Sequence, residues 1–316
     1  MPRCCVGTMA HNDEANIRHM LEALCTQRLR HVHVAEIIVV ASGCVDGTED
    51  IVRRFCEIDP RVRLISQVKR EGKSAAINTL LRNSDEEIIV VVNADTIPVP
   101  EAIECLVAPF QDPEVGMTSG RPVPANDPRT FMGYAVCFLW ALHHQMSLQH
   151  PKMGELIAFR NIFRQIPRDS SVDEASIEPL IRGQGLRLCY APEAVVYNRG
   201  PETVRDYLRQ RRRIFAGHVY VRDTLGYRVS TMNAARLLWL LLRNPGVERD
   251  WRYYLWGPVV VALEVFARLL GLYDYKLRKR KHAIWEMVKT TKRVMAPPSS
   301  SGSGKKTPLP GLSEPT

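Results

Sequence analysis

Two short runs constrain this chain more than any others: Glu-Ile-Ile-Val-Val at 36–40 and Glu-Ile-Ile-Val-Val-Val at 87–92. A strand with one wet face alternates apolar and polar residues. These runs do not alternate, so both faces must be covered. Further apolar strands are expected at Cys5–Met9 and Val62–Ser66, and helices at Asp13–Leu24, Thr48–Phe55 and Lys73–Leu81. In the first helix Ile17, Met20, Leu21 and Leu24 recur at helical spacing, and Asp46 or Thr48 is placed to cap the second. Strands and helices in alternation predict an α/β fold, a mostly parallel sheet flanked by helices. Right-handed crossovers gather the loops that follow its strands at the carboxyl edge, where ligands bind.

The second half is less regular. Strands are expected at Leu156–Phe159, Leu188–Tyr190 and Ala194–Tyr197, and a strongly basic helix at Thr203–Gly217. Near Ser230 the composition changes. Ala234–Arg243 and Trp251–Tyr275 are apolar and aromatic, the latter interrupted by Pro258, Glu264 and Arg268. Neither offers roughly 20 uninterrupted apolar residues, so both are expected as amphipathic helices lying in a membrane interface. A basic helix is expected over Lys276–Arg293, and the Pro, Ser and Gly of Ala296–Thr316 predict a disordered tail. The expected division is therefore 1–229 for a catalytic domain, 230–295 for apolar and basic membrane-associated helices, and 296–316 for the tail.

The net charge of +9, concentrated in the C-terminal third, suits anionic partners: phosphorylated small molecules, anionic lipid or nucleic acid. Nucleic acid is the weakest of these, since no aromatic-rich sheet motif or helix-turn-helix spacing is present. The cysteines are scattered without a CxxC pair, and Met-Pro-Arg-Cys-Cys at the start lacks the apolar core of a signal peptide. Reduced thiols and a cytoplasmic location, peripheral on the inner face of the cell membrane, are expected.

Five segments carry chemistry. The 87–92 strand runs into Asn93-Ala94-Asp95-Thr96, where an acid at the carboxyl edge either holds Mg²⁺ or Mn²⁺ or caps the next helix. The 36–40 strand runs into Ala41-Ser42-Gly43-Cys44-Val45-Asp46-Gly47-Thr48, which is either a plain turn or a nest of backbone amides for a nucleotide. Lys69, Arg70 and Lys73 surround Gly72 at a helix start, a diphosphate neighbourhood without Walker A spacing. Asp173-Glu174 is either a general base with its neighbour or an acidic first helical turn. Arg209-Gln210-Arg211-Arg212-Arg213 supplies phosphate forks or a solvated basic face.

Taken in order, these segments resemble the family 2 glycosyltransferases. Ala10-His11-Asn12-Asp13-Glu14 is similar to the family's Ala-Tyr-Asn-Glu-Glu start. Glu36–Thr48 is similar to its strand and Asp-Asp-Gly-Ser-x-Asp-Gly-Thr turn. Gly72-Lys73 with Ala76 and Asn78 matches Gly-Lys-x-x-Ala-x-Asn. Asn93-Ala94-Asp95 stands at the Asp-x-Asp metal motif, Gly154–Arg160 at the segment lining the acceptor side, and Asp173-Glu174 at the Glu-Asp pair. Gln210-Arg211-Arg212-Arg213-Ile214 resembles the Gln-x-x-Arg-Trp motif of cellulose and hyaluronan synthases.

The resemblance, over residues 4–220, implies a GT-A fold and an inverting, metal-dependent transfer of sugar from a nucleotide-diphosphate donor. The acceptor it implies is a hydroxyl or phosphate on a carbohydrate or lipid-linked molecule. Glu174 becomes the base, with Asp173 beside it. Ala10, Asn12, Glu14, Ser42, Asp46, Lys73, Asn78, Asn93, Ala94, Gln210 and Arg213 become donor-site residues. Asp95 becomes the metal ligand, with Asn93, and with His218 as a further candidate. The chain departs from the pattern at Ala41 and Ser42, where the family carries two acids, at Asn93, in the reversed order of Asp173-Glu174, and at Ile214, which predicts against a processive polymerase. A nucleotidyltransferase or a nonenzymatic nucleic-acid-binding module are the competing classes.

Overall fold

The computed structural model describes residues 1–168, 170–243 and 246–278. The alternating half comprises β1 (Arg3–Ala10), α1 (Glu14–Cys25), β2 (His33–Ser42), α2 (Thr48–Ile58), β3 (Val62–Gln67), α3 (Lys73–Arg82) and β4 (Ile88–Asn93). The remainder comprises β5 (Ile97–Pro98), α4 (Ala102–Val107), β6 (Val115–Pro124), α5 (Phe131–Gln149), β7 (Leu156–Arg160), α6 (Asp173–Arg182), β8 (Arg187–Asn198), α7 (Val204–Leu225), α8 (Ala234–Arg243) and α9 (Trp251–Lys276).

One sheet runs β3-β2-β1-β4-β7-β6-β8-β5. β1 to β4 pair in parallel, whereas β7 enters antiparallel to both β4 and β6. The unbroken apolar runs are explained by two cores. Ile37, Val39, Val90 and Val92 face one, while Ile38, Val40, Ile89 and Val91 face the other. Each such side chain, removed from water, contributes about 1.5–3 kcal/mol.

Three elements differ from expectation, two of them in the sheet and on its face. The segments Leu188–Tyr190 and Ala194–Tyr197 form a single strand, β8, broken by a bulge: Ser119 faces Tyr190 and Arg121 faces Val195. Pro192, with no N–H to give the ladder, lies inside that bulge. The 19-residue α5 carries apolar residues on every side and so shows no helical stripe, yet Thr130 caps it by accepting from the Gly133 N–H at 3.1 Å.

α9 also differs. By length and composition it is apolar enough to cross a bilayer, and it continues through Pro258, Glu264 and Arg268. The interruptions are accommodated because Glu264 accepts from Arg268 at 2.9 Å and from Arg211 of α7 at 2.7 and 2.8 Å. Asp274, fully buried, pairs with Arg212 of α7. Gly257, Val260, Ala267, Gly271 and Asp274 form the buried stripe of α9. A methyl group at Gly271 would sit 2.6 Å from the Arg212 carbonyl oxygen, so only glycine allows this approach of the two helices. Of the basic helix expected over Lys276–Arg293, Lys276 ends α9 and the residues past 278 lie outside the described residues, as does the tail at 296–316.

Candidate active site

The loops after β1, β2 and β4 meet at the carboxyl edge of the sheet. Gly43, at φ +60°, turns the chain sharply after β2, and its Cα faces the Arg70 amide so closely that a Cβ would approach it to 2.6 Å. The turns after β1 and β2 are laced together. Asn12 accepts from the Val45 N–H at 2.9 Å, Glu14 accepts from Gly47 N–H at 3.0 Å, and Asp46 accepts from Glu14 N–H at 3.2 Å. The Thr48 hydroxyl accepts from the Asp13 N–H at 2.8 Å.

These bonds hold open a cavity of about 640 Å³, a volume within the roughly 300–1,000 Å³ usual for small-molecule sites. Ala10, Ser42, Lys73, Asn93, Ala94, Asp95, Asp173, Glu174, Gln210, Arg213 and His218 all line it. The aspartate after β4, the acidic pair and the arginine-rich helix therefore share one pocket. Asn12, Glu14, Asp46 and Asn78 stand off its wall. The first three shape the two turns. The Asn78 side chain donates to the Ile166 carbonyl at 3.0 Å and accepts from its N–H at 2.7 Å, clamping α3 to the loop before α6.

Charge is dense at the acidic pair. Lys73 donates to Asp173 at 2.9 Å. Burial pulls the Lys73 pKa down, but Asp173 and Glu174 outweigh it and raise it, so the ammonium stays charged. The Arg213 guanidinium reaches the Ser171 carbonyl at 3.1 Å, with Glu174, Asp173 and Glu155 around it. Glu174 differs from its neighbour. Loss of water, then the Asp173 carboxylate, pushes its pKa up to about 7, against the pull of Lys152 and Lys73. A carboxylate whose pKa is raised toward neutrality can serve as a proton acceptor there.

Asp95, Asn93 and Glu155 present oxygen donors on the same wall, and the Asn93 amide donates to Glu155. Among the described residues no cluster of three or more His, Cys, Asp or Glu is arranged to hold a metal. A site with few protein carboxylates does fit a hard cation that takes its remaining ligands from a diphosphate. His218 sits elsewhere. It is 6% exposed, and Lys152, Arg211 and Arg268 surround it, company that disfavours a second positive ion. Of the further cavity residues, Asp13 and Arg70 lie in segments the sequence had singled out without being named as donor-site residues, Glu155 was not named either, and His143 and Lys152 belong to no local motif. Glu155 had one visible signal, its place in the Gly154–Arg160 segment.

A family model described as glycosyl transferase family 2 matches residues 5–171. The chain is 25% identical over 237 residues to a probable glycosyltransferase, YdaM, of Bacillus subtilis, covering 70% of this chain and 56% of the relative. It is 26% identical over 239 residues to an N-acetylglucosaminyltransferase of Sinorhizobium fredii, covering 68% and 54%. The chain thus spans about half the length of the curated relatives it matches. Among solved structures, a mannosyltransferase of Pyrobaculum calidifontis in complex with GDP-Man and Mn²⁺ superposes with a TM-score of 0.63 at 22% identity, over 88% of each chain. That likeness bears out the GT-A fold expected from the sequence.

Proposed function

We propose, from the premise that this chain belongs to glycosyl transferase family 2, that it moves a sugar from a nucleotide-diphosphate donor to an acceptor hydroxyl with inversion. The observation that carries this reading is the single cavity lined by Asp95, Asp173, Glu174 and Arg213. The catalytic part is residues 1–229, and no nucleic acid takes part.

The donor lies over the carboxyl edge, its nucleotide against Ala10 and Ser42 and its diphosphate toward Lys73, Gln210 and Arg213. Mg²⁺ or Mn²⁺, held by Asp95 with Asn93 beside it, supplies positive charge to that diphosphate when bound. Lys73 and Arg213 add fixed cations where negative charge accumulates on the leaving group. Glu174 accepts the proton of the acceptor hydroxyl. The acceptor oxygen bonds to the anomeric carbon as the bond from that carbon to the diphosphate oxygen breaks. The electron pair leaves with the nucleoside diphosphate, and attack from the opposite face inverts the centre. Asp173 keeps Lys73 in place and raises the basicity of Glu174.

The reading extends to location. The outer faces of α8 and α9 expose Leu238, Trp239, Leu242, Tyr254, Leu255, Phe266 and Leu269, a patch suited to the cytoplasmic face of an anionic membrane. Flotation of the full chain with anionic vesicles tests this part, and a chain that stays unbound refutes it. For the chemistry, the test is incubation with a panel of nucleotide sugars and Mn²⁺. Release of nucleoside diphosphate is expected. Release of pyrophosphate from a nucleoside triphosphate instead would assign the site to nucleotidyl transfer.

A further inference from the structure

The acidic pair and Asp95 occupy only one end of the cavity. The other end leaves the sheet and passes between three helices, walled by Leu139 and Leu142 of α5, Leu237 and Leu241 of α8, and Val261 and Val265 of α9. Transfer at Glu174 does not need such a wall. Glu264 and Arg268 also line this stretch, but they are paired with each other and with Arg211. A nucleotide or a free saccharide entering it would therefore surrender water for few hydrogen bonds, whereas an aliphatic chain would gain about 0.8 kcal/mol for each methylene buried.

Polar groups mark where the two ends join. Lys152 is 8% exposed, and its ammonium donates to the Met153 carbonyl at 3.1 Å. His218, also on the cavity wall, has a buried Nε2 with no hydrogen-bond partner. A buried polar atom left this way calls for a ligand atom. Burial, then the cations of Lys152, Arg211 and Arg268, keeps the His218 imidazole neutral. Its Nε2–H tautomer can therefore donate to an anion that also meets Lys152.

We propose that the acceptor is an amphiphile in which a phosphate joins a hydroxyl-bearing head to one aliphatic chain. The chain lies between α5, α8 and α9, the phosphate meets Lys152 and His218, and the hydroxyl points to Glu174. This rests on the sugar-transfer reading above and names its substrate class. The occupant follows from continuity: the apolar groove opens directly into the catalytic cavity, and a phosphate is what the buried ammonium and imidazole at the junction complement.

The test uses the full chain, first bound to Mn²⁺ and whichever of UDP or GDP stabilises it in thermal unfolding. Dodecyl phosphate below its micelle concentration, dodecanol and inorganic phosphate are then titrated. Dodecyl phosphate is expected to bind at least tenfold more tightly than either. Leu241→Trp on α8 and Val261→Trp on α9, each filling the groove from a different helix, should both cut that affinity at least tenfold while UDP or GDP binding and the unfolding midpoint hold. Equal binding of inorganic phosphate overturns the groove. Equal binding of dodecanol overturns the phosphate contact, and undiminished binding in a folded Trp variant overturns the placement. If neither nucleotide stabilises the wild type with Mn²⁺, the sugar-transfer reading fails first.

Discussion

At the sheet edge, the cavity wall comes from loops pinned by backbone N–H groups donating to side-chain oxygens: Val45 to Asn12, Gly47 to Glu14, Glu14 to Asp46. Between α5, α8 and α9 the wall comes from side chains of one helix and of two others far from it in sequence, held by apolar packing around Phe138, Leu142, Leu240 and Val260. The first end places charges and the second excludes water. The hinge between them is α7, which presents Arg213 to the acidic pair on one side and offers Arg211 and Arg212 to Glu264 and Asp274 of α9 on the other. α7 thus ties the charged end to α9, one of the three helices of the apolar wall.

The largest effect is expected at the polar end. Glu174→Gln keeps the shape but cannot take a proton, so turnover should fall roughly 10²–10⁴-fold while nucleoside diphosphate with Mn²⁺ still stabilises the fold. Asp173→Asn loses the charge that pairs with Lys73, though not an acceptor oxygen, and should cost less. If Asp173→Asn proves the more damaging in initial-rate measurements, the roles of the two acids are exchanged.

Next comes the hinge. Glu264 accepts from two arginines, and although burial opposes its ionisation, Arg211 and Arg268 bring its pKa down to about 2. Glu264→Leu would leave both guanidiniums unpaired, a loss of about 3–5 kcal/mol where one partner of a buried pair is removed, readable by urea unfolding. The sign follows from the lowered pKa. The native carboxylate contributes fully above the ordinary Glu range, and the contribution fades as pH falls toward about 2. The wild type should therefore lose more stability than Glu264→Leu over that acidic window. Equal loss would mean that the ion pairs do not hold α7 and α9 together.

A smaller effect concerns pH and activity. Glu174 must be ionised to act, and its pKa is raised to about 7. Turnover should climb as pH rises through that value and fall about tenfold per unit below it. An acidic limb in the ordinary Glu range, near 4.3, would place the base in water rather than in this cavity.

The same contrast governs what the sequence made legible. Strands β1, β2 and β4 were readable because burial on both faces forces apolar runs, and the catalytic segments because each sits at a strand end or helix start within a few residues of its own signal. Lys152 and His143 carry no local pattern. They reach the site through tertiary packing of α5 and the chain before β7. α5 itself was hidden because a helix covered on most sides loses the periodicity that betrays an amphipathic one. Glu264 and Arg268 looked like interruptions of an apolar segment. Glu264, held by Arg268 on its own helix and by Arg211 on α7, becomes its anchor, and no sequence spacing announces a pairing across that distance. Asn78 shows the converse: a motif position whose visible work is to hold Ile166.

The smallest effect on the fold should come from the outside of α9. Leu269 is 60% exposed and Val260 fully buried on the same helix. Leu269→Ser removes little that folding had buried, so its unfolding free energy should stay within about 0.5 kcal/mol of wild type, as for ordinary surface changes. Val260→Ala takes methyl groups from the packed face and should cost more, on the order of 1 kcal/mol, as loss of buried methyls does. Vesicle binding should rank the two variants the other way, because only the outer face can meet lipid. Measured together, urea midpoints and flotation separate the two sides of α9. If Leu269→Ser destabilises the fold and leaves flotation unchanged, then the outer face is covered by protein and the membrane reading of this region falls.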